Sequence, residues 1–184
     1  MNKIRKHLPR LESDAYIGYK HVAFTANCTK RKTLFLKREY VDSAIVLLMR
    51  NLQRFECECL VYVFMPDHVH MILHGKNEKS CLLECHNNWK GETGKELAKL
   101  IRGSNLETKR APQLSRIWQP QSYDHVLRSY EYELGALRKM INYILQNPVR
   151  AGLVDVWQEY PFLGSLIGEQ DIRHPYWWDW FYEM

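Results

Sequence analysis

Two β-rich runs, residues 59–65 and 68–73, meet at Pro66-Asp67, and this arrangement constrains the fold more than any other part of the chain. Pro-Asp between two apolar, β-branched stretches favours a tight turn, so the pair reads as an antiparallel hairpin. Strand side chains alternate between faces, which places His68 and His70 on one face just past the turn. Two neutral imidazoles on one face supply two ligands for a divalent ion and leave positions for a third ligand, water and substrate. The plain alternative is a histidine pair whose nitrogens are satisfied within a half-buried sheet.

The segments around the hairpin complete an α+β pattern. A strand is predicted over 19–26, where aromatic and β-branched residues are dense, followed by a basic loop. Val41, Ala44, Ile45, Leu48, Met49 and Leu52 recur at helical spacing and predict a helix over 38–54. A second helical region over 82–101 carries Gly91 and Gly94, and a break is expected near Gly91. A last strand is predicted over 122–127, then a helix over 130–146 with Ser129 as its N-cap and Pro148 ending it. Strand, helix, strand, strand, helix, strand describes a ferredoxin-like βαββαβ sandwich, an antiparallel sheet with helices on one face, to which a further helix is added.

That added helix carries the second set of chemically capable residues. Tyr143 and Asn147 are four apart and share a face. A tyrosine hydroxyl can serve as a nucleophile, and an amide oxygen is a hard ligand suited to Mg2+ or Mn2+. Leu134, Leu137, Ile141, Ile144 and Leu145 form one apolar stripe, and Tyr143 projects about 150° from its centre, at 3.6 residues per turn. A core tyrosine would have joined the stripe. The competing readings are an ordinary surface tyrosine and, for Asn147, a C-cap ahead of Pro148.

At these residues the sequence resembles the HUH transposases with a single catalytic tyrosine, and most closely the REP-associated tyrosine transposases of bacteria. The resemblance runs from about Tyr19 to Phe162 through the strand His21-Val22-Ala23-Phe24-Thr25, the run Val63 to His70, the block Tyr143 to Val154, and Ile117-Trp118-Gln119-Pro120 with Tyr123 to Arg128 between them. It implies a catalytic domain over 18–162, preceded by a leader over 1–17 and followed by an aromatic extension over 163–184. It implies that Tyr143 attacks a phosphodiester to give a 5′-phosphotyrosine, and that His68, His70 and Asn147 hold Mg2+ or Mn2+, with His125 supporting the site. The implied substrate is single-stranded DNA beside a REP-type hairpin, and a monomer is expected rather than a dimer. Two other classes stay open: a domesticated DNA-binding protein that no longer cleaves, and a nucleotide hydrolase using His68, His70 and His74, although that triplet is looser than the histidine-triad pattern.

Composition bounds these readings. The net charge of +5 is modest, but cations concentrate at Lys30, Arg31 and Lys32 and again through Lys99, Arg102, Lys109 and Arg110, where a polyanion would be attracted. Solvated helix faces give the same composition. Five cysteines without paired CxxC spacing read as reduced thiols. With no run of about 18 apolar residues and no signal-like start, a cytoplasmic protein is expected. The tail from Pro175 to Tyr182 is strongly aromatic and is expected to pack on the domain.

Overall fold

The computed structural model describes residues 11–104 and 116–167. Five strands and five α-helices are present among them: β1 (His21–Asn27), α1 (Arg38–Arg54), β2 (Cys57–Met65), β3 (His68–Gly75), α2 (Leu82–Ser104), β4 (Tyr123–Val126), α3 (Ser129–Glu133), α4 (Ala136–Leu145), α5 (Asn147–Arg150) and β5 (Leu163–Leu166). The sheet order is β4-β1-β3-β2-β5, and every adjacent pair is antiparallel. Its first four strands have the ferredoxin-like arrangement expected from the sequence. The fifth is a difference: Leu163–Leu166, placed in the C-terminal extension by the sequence reading, pairs with β2. The leader also contributes to the core, since Tyr16 is fully buried and Ile17 bridges to Cys81.

Alternation divides the sheet into two faces. Val22, Phe24 and Ala26 of β1 join Val69, Met71 and Leu73 of β3 beneath α1 and α2. On the opposite face Ile72 meets Val61, Val63 and Met65, and α4 lays Ile141, Ile144 and Leu145 across them. Each of those three buried side chains is worth roughly 2 kcal/mol by apolar burial. The register of β2 shifts between Cys59 and Val61, so the bulge at Leu60 exchanges its inward and outward positions. Without that extra residue, β2 could not present Cys59 and Tyr62 to one layer and Val61 and Val63 to the other.

Two helices differ from expectation. α2 runs unbroken through Gly91 and Gly94 because tertiary contacts outweigh the weak helix propensity of glycine. Trp89 is fully buried and donates its indole N–H to the Ala44 carbonyl of α1 at 3.0 Å, while Glu92 accepts from Arg50 and Asn51. Conversely, the helix expected over 130–146 is divided. Arg128 rather than Ser129 occupies the N-cap, its N–H donating to the Glu131 carboxylate at 2.7 Å. Gly135 then takes φ 64°, which ends α3 and restarts the chain as α4. Leu134 consequently leaves the apolar stripe and is 66% exposed. Pro148 lies within the short helix α5 rather than stopping the chain, in keeping with its tolerance of a first helical turn.

Gly135→Ala should cost about 1 kcal/mol, because an L side chain in the left-handed region is strained there even with open space around it. Urea unfolding of the variant would show this as a lower midpoint with an unchanged slope. An equal midpoint would mean that the α3–α4 junction tolerates another backbone path.

Candidate functional site

The His68 and His70 side chains stand on the face that α4 covers, beyond the apolar patch formed by Ile72. Antiparallel register sets Asn27 opposite His68 and Thr25 opposite His70. The two rings meet edge to face, and their Nε2 atoms lie 3.1 Å apart. Each Nδ1 is held from behind: that of His68 by the Asp67 carboxylate at 2.5 Å, that of His70 by the Thr25 hydroxyl at 2.8 Å. Asp67 is itself fixed by Arg31, whose Nε lies 3.0 Å from the second carboxylate oxygen.

These contacts dictate where the protons sit on neutral rings. The Asp67 carboxylate only accepts, so His68 carries its proton on Nδ1 and offers a bare Nε2. His70 then donates through Nε2, and Thr25 donates to its Nδ1. A hydroxyl can reverse that role: when Thr25 accepts from His70 Nδ1–H, both Nε2 lone pairs become free and converge. Burial first, then His68, Arg150 and Arg31, holds the His70 imidazole down at about 4, so it is neutral and available as a ligand at physiological pH.

A 3.1 Å separation suits two adjacent positions around an ion bound at ~2.1 Å, and rings oriented through Nδ1 are the usual support of metal-ligating histidines. The pair therefore fits a divalent ion. Among the described residues no group of three or more His, Cys, Asp or Glu forms a metal-binding cluster. Among the described residues, a third protein ligand would have to be a group of another kind, such as an amide oxygen.

Tyr143 emerges from α4 away from its buried edge and is 58% exposed. Asn147 starts α5 and turns its amide back on the preceding helix, donating to the carbonyls of Tyr143 and Ile144 at 3.3 and 3.1 Å. It thus closes the end of α4 with its side chain, whereas the sequence suggested a backbone cap. Its amide oxygen accepts from Arg150 at 2.8 Å, and no hydrogen bond joins it to either histidine. One lone pair of that oxygen remains for an ion while Arg150 holds the other.

Arg150 is the principal residue that sequence reasoning passed over. Its guanidinium stacks on the Tyr143 ring 4.0 Å from the centroid and donates to the Tyr143 carbonyl at 2.8 Å. Its charge also reaches His70, which connects the tyrosine end of the site with the imidazole end. The signal for it was weak: Arg150 lies two turns beyond Tyr143 only if the chain continues as helix past Pro148. Thr25 was recognisable only through the β1–β3 register.

The other candidates fall in different places. His125, on β4, shares the histidine face but is separated from β3 by β1, and its Nε2 is bound to Glu131 at 2.9 Å. His74 stacks on His21 at 4.3 Å and leans toward Glu58, so it does not join His68 and His70 in a triad. Lys30 and Lys32 are exposed beside the site. Arg31 braces Asp67, and both Lys30 and Arg31 adopt left-handed backbone, at φ 55° and 53°. Lys99 is exposed near Glu96, Arg102 faces a groove on α2, and Lys109 and Arg110 lie outside the described residues, as does the aromatic tail. All five cysteines are free thiols.

Burial holds His21 and His70 at about 4, with His74 beside His21 lowering it further, and burial also lowers His74. Between their ordinary value near ~6.5 and about 4, the unfolded chain binds protons at these rings that the folded chain does not. Stability should be fully present above pH ~6.5 and should decline as pH falls toward 4, with His21→Gln flattening part of the decline. Melting temperatures followed from pH 7.5 to 4.5 test this; a profile flat to pH 5 would contradict it.

No family model matches the chain. It is 23% identical over 125 residues to a Haemophilus influenzae protein whose name assigns it provisionally to the REP-associated tyrosine transposases, covering 67% of this chain and 68% of that one. The solved structure of a REP-associated tyrosine transposase bound to a REP hairpin superposes with a TM-score of 0.62 at 21% identity, covering 86% of this chain and 81% of that one. In sequence and in fold alike, the chain resembles the REP-associated tyrosine transposases.

Proposed function

We propose that the protein is a metal-assisted transesterase of the tyrosine transposase class, acting on single-stranded DNA beside a hairpin. The observation that carries this reading is the convergence of two Nε2 atoms, each oriented through its own Nδ1, on the sheet face over which α4 carries a solvent-facing tyrosine. Both relatives described above bear transposase names, and one of them holds a REP hairpin. The expected occupant is Mg2+ or Mn2+, held by His68 and His70 with the Asn147 oxygen as third ligand. Bound there, such an ion would polarise a phosphate oxygen and offset charge that develops on phosphorus.

The chain's own groups supply the rest. Tyr143 Oη attacks phosphorus, the bond to the 3′ oxygen breaks, and the phenolic proton is balanced by protonation of the departing 3′-hydroxyl. The product is a 5′-phosphotyrosine. Because that ester retains phosphodiester energy, a 3′-hydroxyl can reverse the attack and join strands without ATP. Arg150 orients the Tyr143 ring and brings a positive charge to the place where a phosphate would sit. His125 supports the site through α3, since its bond to Glu131 fastens the start of that helix to β4. Lys30 and Lys32 contact backbone phosphates. The protein acts as a monomer in the cytoplasm, and among the described residues no helix is long and apolar enough to cross a membrane.

Tyr143→Phe removes the nucleophile and keeps the ring over Arg150. Incubated with Mn2+ and a hairpin oligonucleotide, it should give no covalent adduct on a denaturing gel while binding DNA within about twofold of wild type. An adduct of undiminished yield would reject Tyr143. Thr25→Val replaces the reversible hydroxyl by a methyl and should weaken Mn2+ binding roughly tenfold by calorimetry, the scale of other outer-shell losses. His68→Ala with His70→Ala should abolish that binding, and wild-type affinity in the double variant would refute a metal role.

A further inference from the structure

On the sheet's other side, α2 and residues 116–120 enclose an open groove of about 620 Å3. Gly91 and Gly94 of α2 contribute its floor, and Lys95, Arg102 and Arg116 project along it, with no acidic side chain in the lining. Its opposite wall is rigid. Trp118 is buried and donates to Thr93 at 2.9 Å, and Lys90 fastens the wall by donating to the Gln119 carbonyl and the Ser122 hydroxyl at 3.0 and 2.9 Å.

The two glycines differ in what they do. A Cβ on Gly94 would lie 3.6 Å from the Trp118 ring, ordinary packing, whereas a Cβ on Gly91 would meet nothing within 4 Å. Gly91 therefore weakens the helix relative to alanine without any packing requirement for its small size. What its missing side chain leaves is open space in a basic groove. Among the described residues Lys95, Arg102 and Arg116 enter none of the ion pairs.

The groove is also connected to the histidine site. Gln119 N–H donates to the Asn27 carbonyl at 2.8 Å, and Asn27 is paired with His68 across the sheet. A chain leaving the imidazoles would pass the exposed Lys30 and Lys32 around the end of β1 and reach the groove beside Trp118.

We infer that this groove binds the phosphate backbone of a DNA strand that extends from the Tyr143 site around the end of the sheet. Polyanionic DNA is the occupant that three basic side chains beside two glycines of α2, in a groove whose lining has no acidic residue, fit, since the backbone can approach at the glycines and is held by charge. The inference rests on the reading of the protein as a DNA transesterase.

Three variants test it, with a hairpin oligonucleotide carrying a single-stranded 5′ extension as the probe. Gly91→Gln fills the groove without changing charge and without a clash; it should bind at least tenfold more weakly while melting no lower than wild type. Gly91→Ala is the control and should bind as wild type does. Lys95→Gln with Arg102→Gln and Arg116→Gln should flatten the dependence of log affinity on log salt by about 2, from three phosphate contacts at ~0.7 each on a single strand. Wild-type affinity in Gly91→Gln, or an unchanged salt slope in the triple variant, overturns the groove assignment, while an adduct still formed by wild type leaves the transesterase reading in place. Failure of wild type to bind the probe at all removes both.

Discussion

The pairing of β3 with β1 is the constraint on which the site depends. Its register sets Thr25 opposite His70 and Asn27 opposite His68, so the hydroxyl meets the ring it must orient and the loop after Asn27 meets Asp67. A shift of one residue would send both imidazoles into the layer beneath α1 and α2 and bring Val69 and Met71 out. The apolar residues that alternate with the histidines fix this register: Val69, Met71 and Leu73 are all fully buried. The core thus specifies the histidine face by excluding a one-residue slip.

Charge around that face is arranged for an anion. Arg31 lies behind Asp67, Arg150 lies over Tyr143, and both lower the His70 pKa, acting after burial and His68. His70 stays neutral, as a metal ligand would have to be, while two guanidiniums supply positive charge nearby. Arg150 also contacts the Asn147 oxygen, so the Tyr143 backbone, the Asn147 amide and the guanidinium form one hydrogen-bonded unit at the junction of α4 and α5. A phosphate arriving there would meet a guanidinium whose present partners, a carbonyl and an amide oxygen, are uncharged.

Much of this was legible in the sequence wherever one periodicity governed a whole element. The helical spacing from Val41 to Leu52 yields α1 with the observed limits, and strand alternation places His68 and His70 on one face. Local rules failed where tertiary contacts decided. α2 passes through two glycines because Trp89 and Glu92 tie it to α1, and the tyrosine helix is divided because Gly135 adopts a left-handed conformation that its composition alone does not demand. Leu163–Leu166 is too short to signal a strand and is defined by the free edge of β2. Arg31 looked like one of three equivalent cations, and only the fold distinguishes it as the brace of Asp67.

The proposed chemistry depends on one tyrosine of α4, Tyr143, as the attacking group. Protein incubated with Mn2+ and a hairpin oligonucleotide, digested with trypsin and nuclease, and mapped by mass spectrometry would locate the residual phosphonucleotide. A single modified site at Tyr143 is expected. Modification at another exposed tyrosine, such as Tyr123 or Tyr130, or intact DNA with no modified peptide, would contradict it.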